Sequence, residues 1–172
     1  MLLLQKVVLG ILLLAAAFSD LKREKIPNVL ILSGWFFGLI VHFLQEGVEG
    51  VFKNAITAFA ILAAGFLLFL IRAIGAGDVK LCSVIGGIQG MSSCIEILAV
   101  SFLLAGIWSL VRLVKKQIFA ERVLYAWSYF MTGGAAREPY YNKNRDGTDC
   151  TILLAPFLAT GYFLVLLRGI WK

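Results

Sequence analysis

The 172-residue chain has few of the residues that build soluble surfaces, metal sites and disulfide frameworks. Charged residues make up only 15% of it, against roughly 25% in a soluble globular domain. It has one histidine, His42, and its three cysteines, Cys82, Cys94 and Cys150, form no C-x-x-C pair. This pattern supports neither a zinc site nor a disulfide framework, so we expect free thiols, no metal and no cofactor. His42 is interpreted as a packing or interfacial residue.

Hydrophobic residues, in contrast, reach 60% of the chain, and the mean hydropathy is +0.90. Soluble domains have roughly 45–50% apolar residues, so the composition indicates an all-α integral membrane protein. We expect one membrane-embedded domain over residues 1–172. The net charge of +6 is interpreted as a topology signal rather than as affinity for nucleic acid.

Six apolar stretches are candidates for membrane spans, each compared with the roughly 20 residues that a bilayer requires. The fourth is diluted by glycine, glutamine and serine, and a half-helix that turns back is its alternative. A signal peptide at the amino terminus is disfavoured because basic residues follow the first stretch. The stretches are Leu2–Phe18, Val29–Leu44, Val51–Ile71, Val79–Ile95, Ile97–Val114 and Thr151–Leu167.

Basic residues are unevenly distributed between the two sides that six crossings would create. With the amino terminus outside, only Lys6, Lys53, Arg168 and Lys172 of the 16 lysines and arginines lie outside. Because basic residues accumulate in cytoplasmic loops, this orientation in the cytoplasmic membrane is favoured. It also places a long cytoplasmic loop, Lys115–Asp149, before the last helix.

An acidic residue interrupts the apolar pattern in the stretch Gly75-Ala76-Gly77-Asp78-Val79-Lys80. A charged side chain in hydrocarbon costs about 2.5–3.5 kcal/mol on insertion scales, so an embedded acid usually faces a partner, a cavity or a reaction. Gly75 and Gly77 lack Cβ atoms and would allow an extended peptide substrate to approach. Lys80 is either a counter-charge near this site or a lysine that snorkels to the interface.

The favoured topology places a second acid, Asp20, at the same cytoplasmic surface as Asp78. Two carboxylates can hydrolyse a peptide bond when one ionised group activates water and the other donates a proton. Charges 4 Å apart repel by about 4 kcal/mol at an effective dielectric near 20, which separates the two titrations. The alternatives are that Asp78 caps a helix and that Asp20 is an interfacial acid balanced by Lys22 and Arg23.

Three segments resemble motifs of the type IV prepilin peptidases, the G-x-G-D membrane aspartic peptidases. Asp20 followed by Ile26-Pro27-Asn28 is similar to their first aspartate motif. Gly75-Ala76-Gly77-Asp78-Val79-Lys80-Leu81 is similar to their G-x-G-D motif, and Ala155-Pro156-Phe157 to their final helix.

This resemblance implies a membrane aspartic endopeptidase that removes the basic leader from type IV prepilins or pseudopilins at the cytoplasmic face. It implies Asp20 and Asp78 as the catalytic pair. The chain resembles the short, peptidase-only form of tight-adherence and Flp pilus systems, and no methyltransferase domain is expected.

Two other classes stay open at this point. A proton-coupled carrier or pilus-assembly protein could use either acid, although carriers usually place acids near the midplane of repeated halves. A presenilin-type protease shares the G-x-G-D motif, but its first aspartate lies within a helix and its proline motif differs. We expect Asp20 to follow its helix, which disfavours the presenilin type.

Overall fold

The computed structural model describes residues 2–71, 73–115 and 153–170, and these ranges contain five helices and no strand. The predicted all-α class is confirmed for this part of the chain. Residues 116–152, which include nearly all of the predicted cytoplasmic loop, lie outside it. The helices are α1 Leu2–Arg23, α2 Asn28–Leu70, α3 Ala76–Gln89, α4 Met91–Lys115 and α5 Ala155–Ile170.

Three of these helices are long and apolar enough to cross a membrane: Leu3–Arg23, Asn28–Leu70 and Met91–Arg112. A shorter apolar helix covers Ala155–Gly169. Many of their large hydrophobic side chains face outward, such as Phe18 at 67% and Phe59 at 71% exposure. Since such surfaces require an apolar solvent, the chain is a membrane protein.

Helix α2 is a hairpin of two arms that meet at Gly47. Its 43 residues would extend about 64 Å as one rod, roughly twice the hydrocarbon thickness. Gly47 has φ 64 and ψ −146, a backbone conformation that glycine adopts far more easily than other residues. Gly38 on the first arm packs against Asn54 on the second. The two arms correspond to the second and third predicted stretches.

The boundary between the fourth and fifth stretches was predicted wrongly. The chain breaks at Gly90, with φ 81 and ψ 167, so that α3 ends at Gln89 and α4 begins at Met91. The residues assigned to the end of the fourth stretch belong to α4 instead. With 14 residues, α3 is about 21 Å long, which is shorter than the hydrocarbon core.

Buried leucine and isoleucine side chains from all five helices form the core, which includes Leu13, Ile31, Leu81, Ile97 and Leu158. Glycines permit the closest approaches, as expected where helices pack in lipid. Gly34 faces Val84, and Gly86 lies directly against Ile61. Gly90 has no such packing role, because a Cβ there would meet nothing within 4 Å.

The chain divides into two compact units. The first contains Met1–Leu104 and Leu153–Lys172, and the second contains Ala105–Ile152. Only Ala105–Lys115 of the second unit belongs to the described residues, where it is the end of α4. Every site described below lies in the first unit.

Candidate active site

Asp20 is a buried acid near the end of α1, with only 6% of its surface exposed. The prediction that it follows the first helix was wrong, because α1 continues to Arg23. Its carboxyl group interacts with the backbone amide of Ala155, the first residue of α5. This contact joins the amino-terminal end of α5 to the last turns of α1.

Asp78 lies within the first turn of α3 and is not the helix cap that one interpretation expected. The cap is Gly75, which is extended with φ −71 and ψ 147. The carboxyl group of Asp78 interacts with the backbone N–H of Gly75. This is the geometry by which an acid three positions into a helix reaches back to the capping residue.

The environment of Asp78 raises the pKa of its carboxyl group to about 6. Burial is the largest cause because it penalises the charged form, and the negative charge of Asp20 is the next. The interaction with Gly75 acts in the opposite direction. Near neutral pH, Asp78 can therefore both hold and release a proton.

The two glycines beside Asp78 differ in how much space they have. A Cβ at Gly75 would lie 3.1 Å from Oδ2 of Asp78, so a side chain there would crowd the carboxyl group. A Cβ at Gly77 would lie 3.5 Å from Ile26, which is ordinary contact. Gly75 is exposed and Gly77 half-buried. The requirement for glycine is therefore sterically stronger at position 75.

Two contacts join the first aspartate motif to the second. Ile26 packs on Gly77, and Lys80 Nζ donates a hydrogen bond to Asn28 Oδ1 at 3.3 Å. Asn28 is the first residue of α2, and the cap residue before it, Pro27, makes no side-chain cap bond. Lys80 consequently has a structural partner at the start of α2.

Two contacts that join the helices were not predicted from the sequence. The interaction between Ala155 and Asp20 joins distant parts of the chain, as does the hydrogen bond from buried Asn54 to the carbonyl of Gly87 at 2.9 Å. An unexpected polar residue inside an apolar stretch was the available clue for Asn54.

His42 and two of the cysteines are packed against other residues of the protein. His42 Nε2 lies 3.4 Å from the carbonyl oxygen of Ile88, and Cys82 and Cys94 are buried free thiols. Cys150 lies outside the described residues. In the described ranges, no group of three or more His, Cys, Asp or Glu side chains is arranged to hold a metal ion.

The helices and the two interacting aspartates agree with the family whose model matches this chain. The family model described as "Type IV leader peptidase family" matches residues 7–110, which is more than half of the chain. The chain belongs to this family and is therefore a membrane peptidase. The matched residues include Asp20 and Asp78, whereas the Ala155-Pro156-Phe157 motif follows them. Searches among curated proteins and among solved structures found no significant match.

The family also decides against the presenilin type. The position of Asp20 no longer separates the two, because Asp20 lies within α1. The family match and the different proline motif distinguish this chain from the presenilin type.

Proposed function

We propose that this protein is an aspartic endopeptidase in which Asp20 and Asp78 hydrolyse the peptide bond between the basic leader and the apolar helix of a type IV prepilin or pseudopilin. A water molecule between the two carboxyl groups gives a proton to the ionised carboxylate and attacks the scissile carbonyl, while the protonated carboxyl group donates its proton to the carbonyl oxygen. When the tetrahedral intermediate collapses, the C–N bond breaks and the leaving amine takes the proton that came from the water. No covalent enzyme intermediate forms. We propose further that the protein is the short form of this peptidase found with Flp pilus systems, which cleaves the leader but carries no methyltransferase domain.

The observation that carries this proposal is the electrostatic interaction between two acids from separate helices. Asp20 disfavours ionisation of Asp78, whose pKa is about 6, and two carboxyl groups with displaced titrations are what such chemistry needs. The backbone amide of Ala155 interacts with the carboxyl group of Asp20 and fixes its position. In this mechanism Asp20 is suited to activate water and Asp78 to donate the proton.

An apolar groove beside Asp78 supports a membrane-embedded substrate. The groove has a volume of about 230 Å³ and lies between the second arm of α2, α3 and the first half of α4. Val79 and Ile74, which line its end, flank the segment that contains Gly75 and Asp78. The apolar helix of the substrate would lie against this groove and insert side chains into it, while its extended leader crosses Gly75 and Gly77. Other lining residues include Ala60, Ala64, Gly65, Cys82, Leu98 and Phe102.

The proposed orientation places the amino terminus outside and the aspartates at the cytoplasmic face of a bacterial or archaeal membrane. Six crossings result when the arms of α2 are counted separately. The distribution of basic residues supports this arrangement.

Cleavage of a membrane-inserted Flp-type prepilin by the purified chain in detergent tests the proposal. Asp20→Asn and Asp78→Asn should each abolish the product, as judged by gel shift and product mass, with folding intact. Glu49→Gln is the matched control because Glu49 pairs with the exposed Lys53 at 3.1 Å, next to the α2 turn. This variant should cleave like the wild type. Cleavage by either aspartate variant would refute the two-aspartate mechanism, and inactive wild type with several prepilins would favour a carrier or assembly protein.

A further inference from the structure

A second cavity, of about 230 Å³, lies between α1, α3, α4 and α5 at the end opposite the two aspartates. Lys6, which lines it, is about 21 Å from Asp20 along α1 at 1.5 Å per residue. Arg168 is about 20 Å from Ala155 along α5 by the same rise. The cavity is therefore separate from the candidate active site.

Charged side chains of both signs line this cavity. Lys6 and Arg168 contribute two cations, and Glu96 contributes one carboxylate. All three residues are exposed. Glu96 makes no ion pair with either cation within 4.0 Å, and the two ion pairs found among the described residues both belong to Lys53. The carboxylate of Glu96 is thus not directly paired with either cation of the cavity.

The rest of the lining is divided between polar and apolar groups. Gln89 and Ser93 add an amide and a hydroxyl, while Ile97, Val165 and Leu166 provide an apolar wall. The hydroxyl of Tyr162 donates a hydrogen bond to the carbonyl of Lys6 at 2.7 Å, which ties α5 to α1 beneath the cavity. The cavity is smaller than the roughly 300–1,000 Å³ pockets that enclose drug-sized ligands. Its size suits a polar headgroup whose acyl chains stay outside.

We propose that this cavity binds the headgroup of a phospholipid that carries both a phosphate and an ammonium group, as phosphatidylethanolamine does. Lys6 and Arg168 contact the phosphate, and Glu96 contacts the ammonium group. Basic pockets between membrane helices on the cytoplasmic side bind phosphate headgroups through the same kind of contact, and here the apolar wall of the cavity would face the acyl chains. The single carboxylate distinguishes this headgroup from a purely anionic one. This inference does not depend on the proposed peptidase mechanism.

Native mass spectrometry of the full chain in detergent, titrated with single lipids of matched acyl chains, tests the assignment. The wild type should retain one phosphatidylethanolamine more tightly than phosphatidylglycerol. Lys6→Gln and Arg168→Gln should each weaken both lipids about fivefold, the change that one basic contact near a membrane surface supplies. Glu96→Gln should abolish the preference between the two lipids.

Lys53→Gln is the matched control, because Lys53 is an exposed cation paired with Glu46 and Glu49 rather than part of the cavity. It should leave both affinities unchanged. The assignment is overturned if the wild type retains no lipid, if Lys53→Gln weakens binding as much as Lys6→Gln and Arg168→Gln do, or if Glu96→Gln keeps the lipid preference. Displacement of the lipid by millimolar inorganic phosphate would identify a soluble phosphate as the ligand instead. The separate Lys6 and Arg168 variants provide independent readings if one fails to fold.

Discussion

At the scale of single residues, Asp20 and Asp78 have different surroundings. Asp20 faces the amide of Ala155 at the positive end of a helix, whereas Asp78 is half-buried and has a pKa of about 6. The ionised form of Asp78 is opposed by burial and by its neighbour's charge. Such an arrangement is costly for stability, and buried acids of this kind are concentrated at functional sites.

Replacing Asp20 by asparagine should lower the pKa of Asp78. The substitution removes the negative charge that disfavours ionisation of Asp78 but keeps a side chain of similar size. Burial still acts, so the pKa should stay above the ordinary aspartate value of 3.8. A pH titration by carbon-13 NMR of labelled aspartate would measure the shift, with Glu49→Gln as a control. An unchanged titration of Asp78 would mean that the two carboxyl groups do not interact.

The same pKa makes the stability of the protein depend on pH. The folded state holds the proton of Asp78 up to about pH 6, whereas the unfolded state releases it near pH 3.8. The folded state binds more protons between these values, so the free energy of unfolding falls as pH rises through this window. At pH 7 the loss from this group is at most about 3 kcal/mol, from 1.36 kcal/mol per pKa unit.

Asparagine does not titrate, so Asp78→Asn removes this pH-dependent loss in the free energy of unfolding. Relative to the wild type, the variant should gain stability between about pH 4 and pH 6 and keep the gain at higher pH. Reversible unfolding in mixed detergent at several pH values measures the difference. The raised pKa of Asp78 would be contradicted if the difference in free energy of unfolding between the wild type and the variant does not change with pH.

At the scale of helices, the break between α3 and α4 depends on one residue. Gly90 has a positive φ with an extended ψ, a region that only glycine occupies readily. The break allows α4 to begin at Met91 directly after α3, which ends at Gln89.

Gly90→Ala should destabilise the protein by about 1–3 kcal/mol, since the new Cβ forces strain on the backbone whatever the surrounding space. Gly106→Ala is the matched control because Gly106 lies inside α4 and its Cβ would meet nothing within 4 Å. This control should be neutral or slightly stabilising, as alanine is the better helix former. Thermal unfolding of both variants provides the comparison, and equal stabilities would show that the break tolerates a side chain.

Narrowing the groove beside Asp78 should weaken substrate binding. Ala64→Leu fills space on the second arm of α2, where Ala64 is exposed to the groove. The KM for a membrane-inserted prepilin should rise several-fold with little change in kcat, as when binding is lost equally from ground and transition states. Ala55→Leu, on the same arm but lining a different cavity, serves as control. Equal kinetics of the two variants would place the substrate helix elsewhere.

At the scale of the whole molecule, the proposed topology assigns the loop after α1 to the cytoplasm and the α2 turn to the outside. Lys25 and Glu49 are both exposed and lie in these two connections. In a Cys150→Ser background, Glu49→Cys should react with a membrane-impermeant maleimide in intact cells. Lys25→Cys should react only after the membrane is opened. The reverse labelling pattern would invert the orientation and move the aspartates to the outer face.

The sequence by itself determined the helical membrane class, because hydropathy is a property of local composition that tertiary contacts do not change. It also singled out Asp20 and Asp78, since an acid in an apolar chain is costly wherever the chain folds. The turn near Gly47 could be anticipated from the polar and glycine residues between two apolar stretches. The role of Asp20 and Asp78 as the catalytic pair stays a prediction.

Only the tertiary structure decided how these residues are held. The helix break at Gly90 was missed because glycine, glutamine and serine are spread over several positions of the fourth stretch, and hydropathy does not report a positive φ. The contacts of Ala155 with Asp20, of Ile26 with Gly77 and of Lys80 with Asn28 join segments far apart in the chain. The pKa of Asp78 depends on burial and on a charge from another helix, so it exists only once the helices have packed.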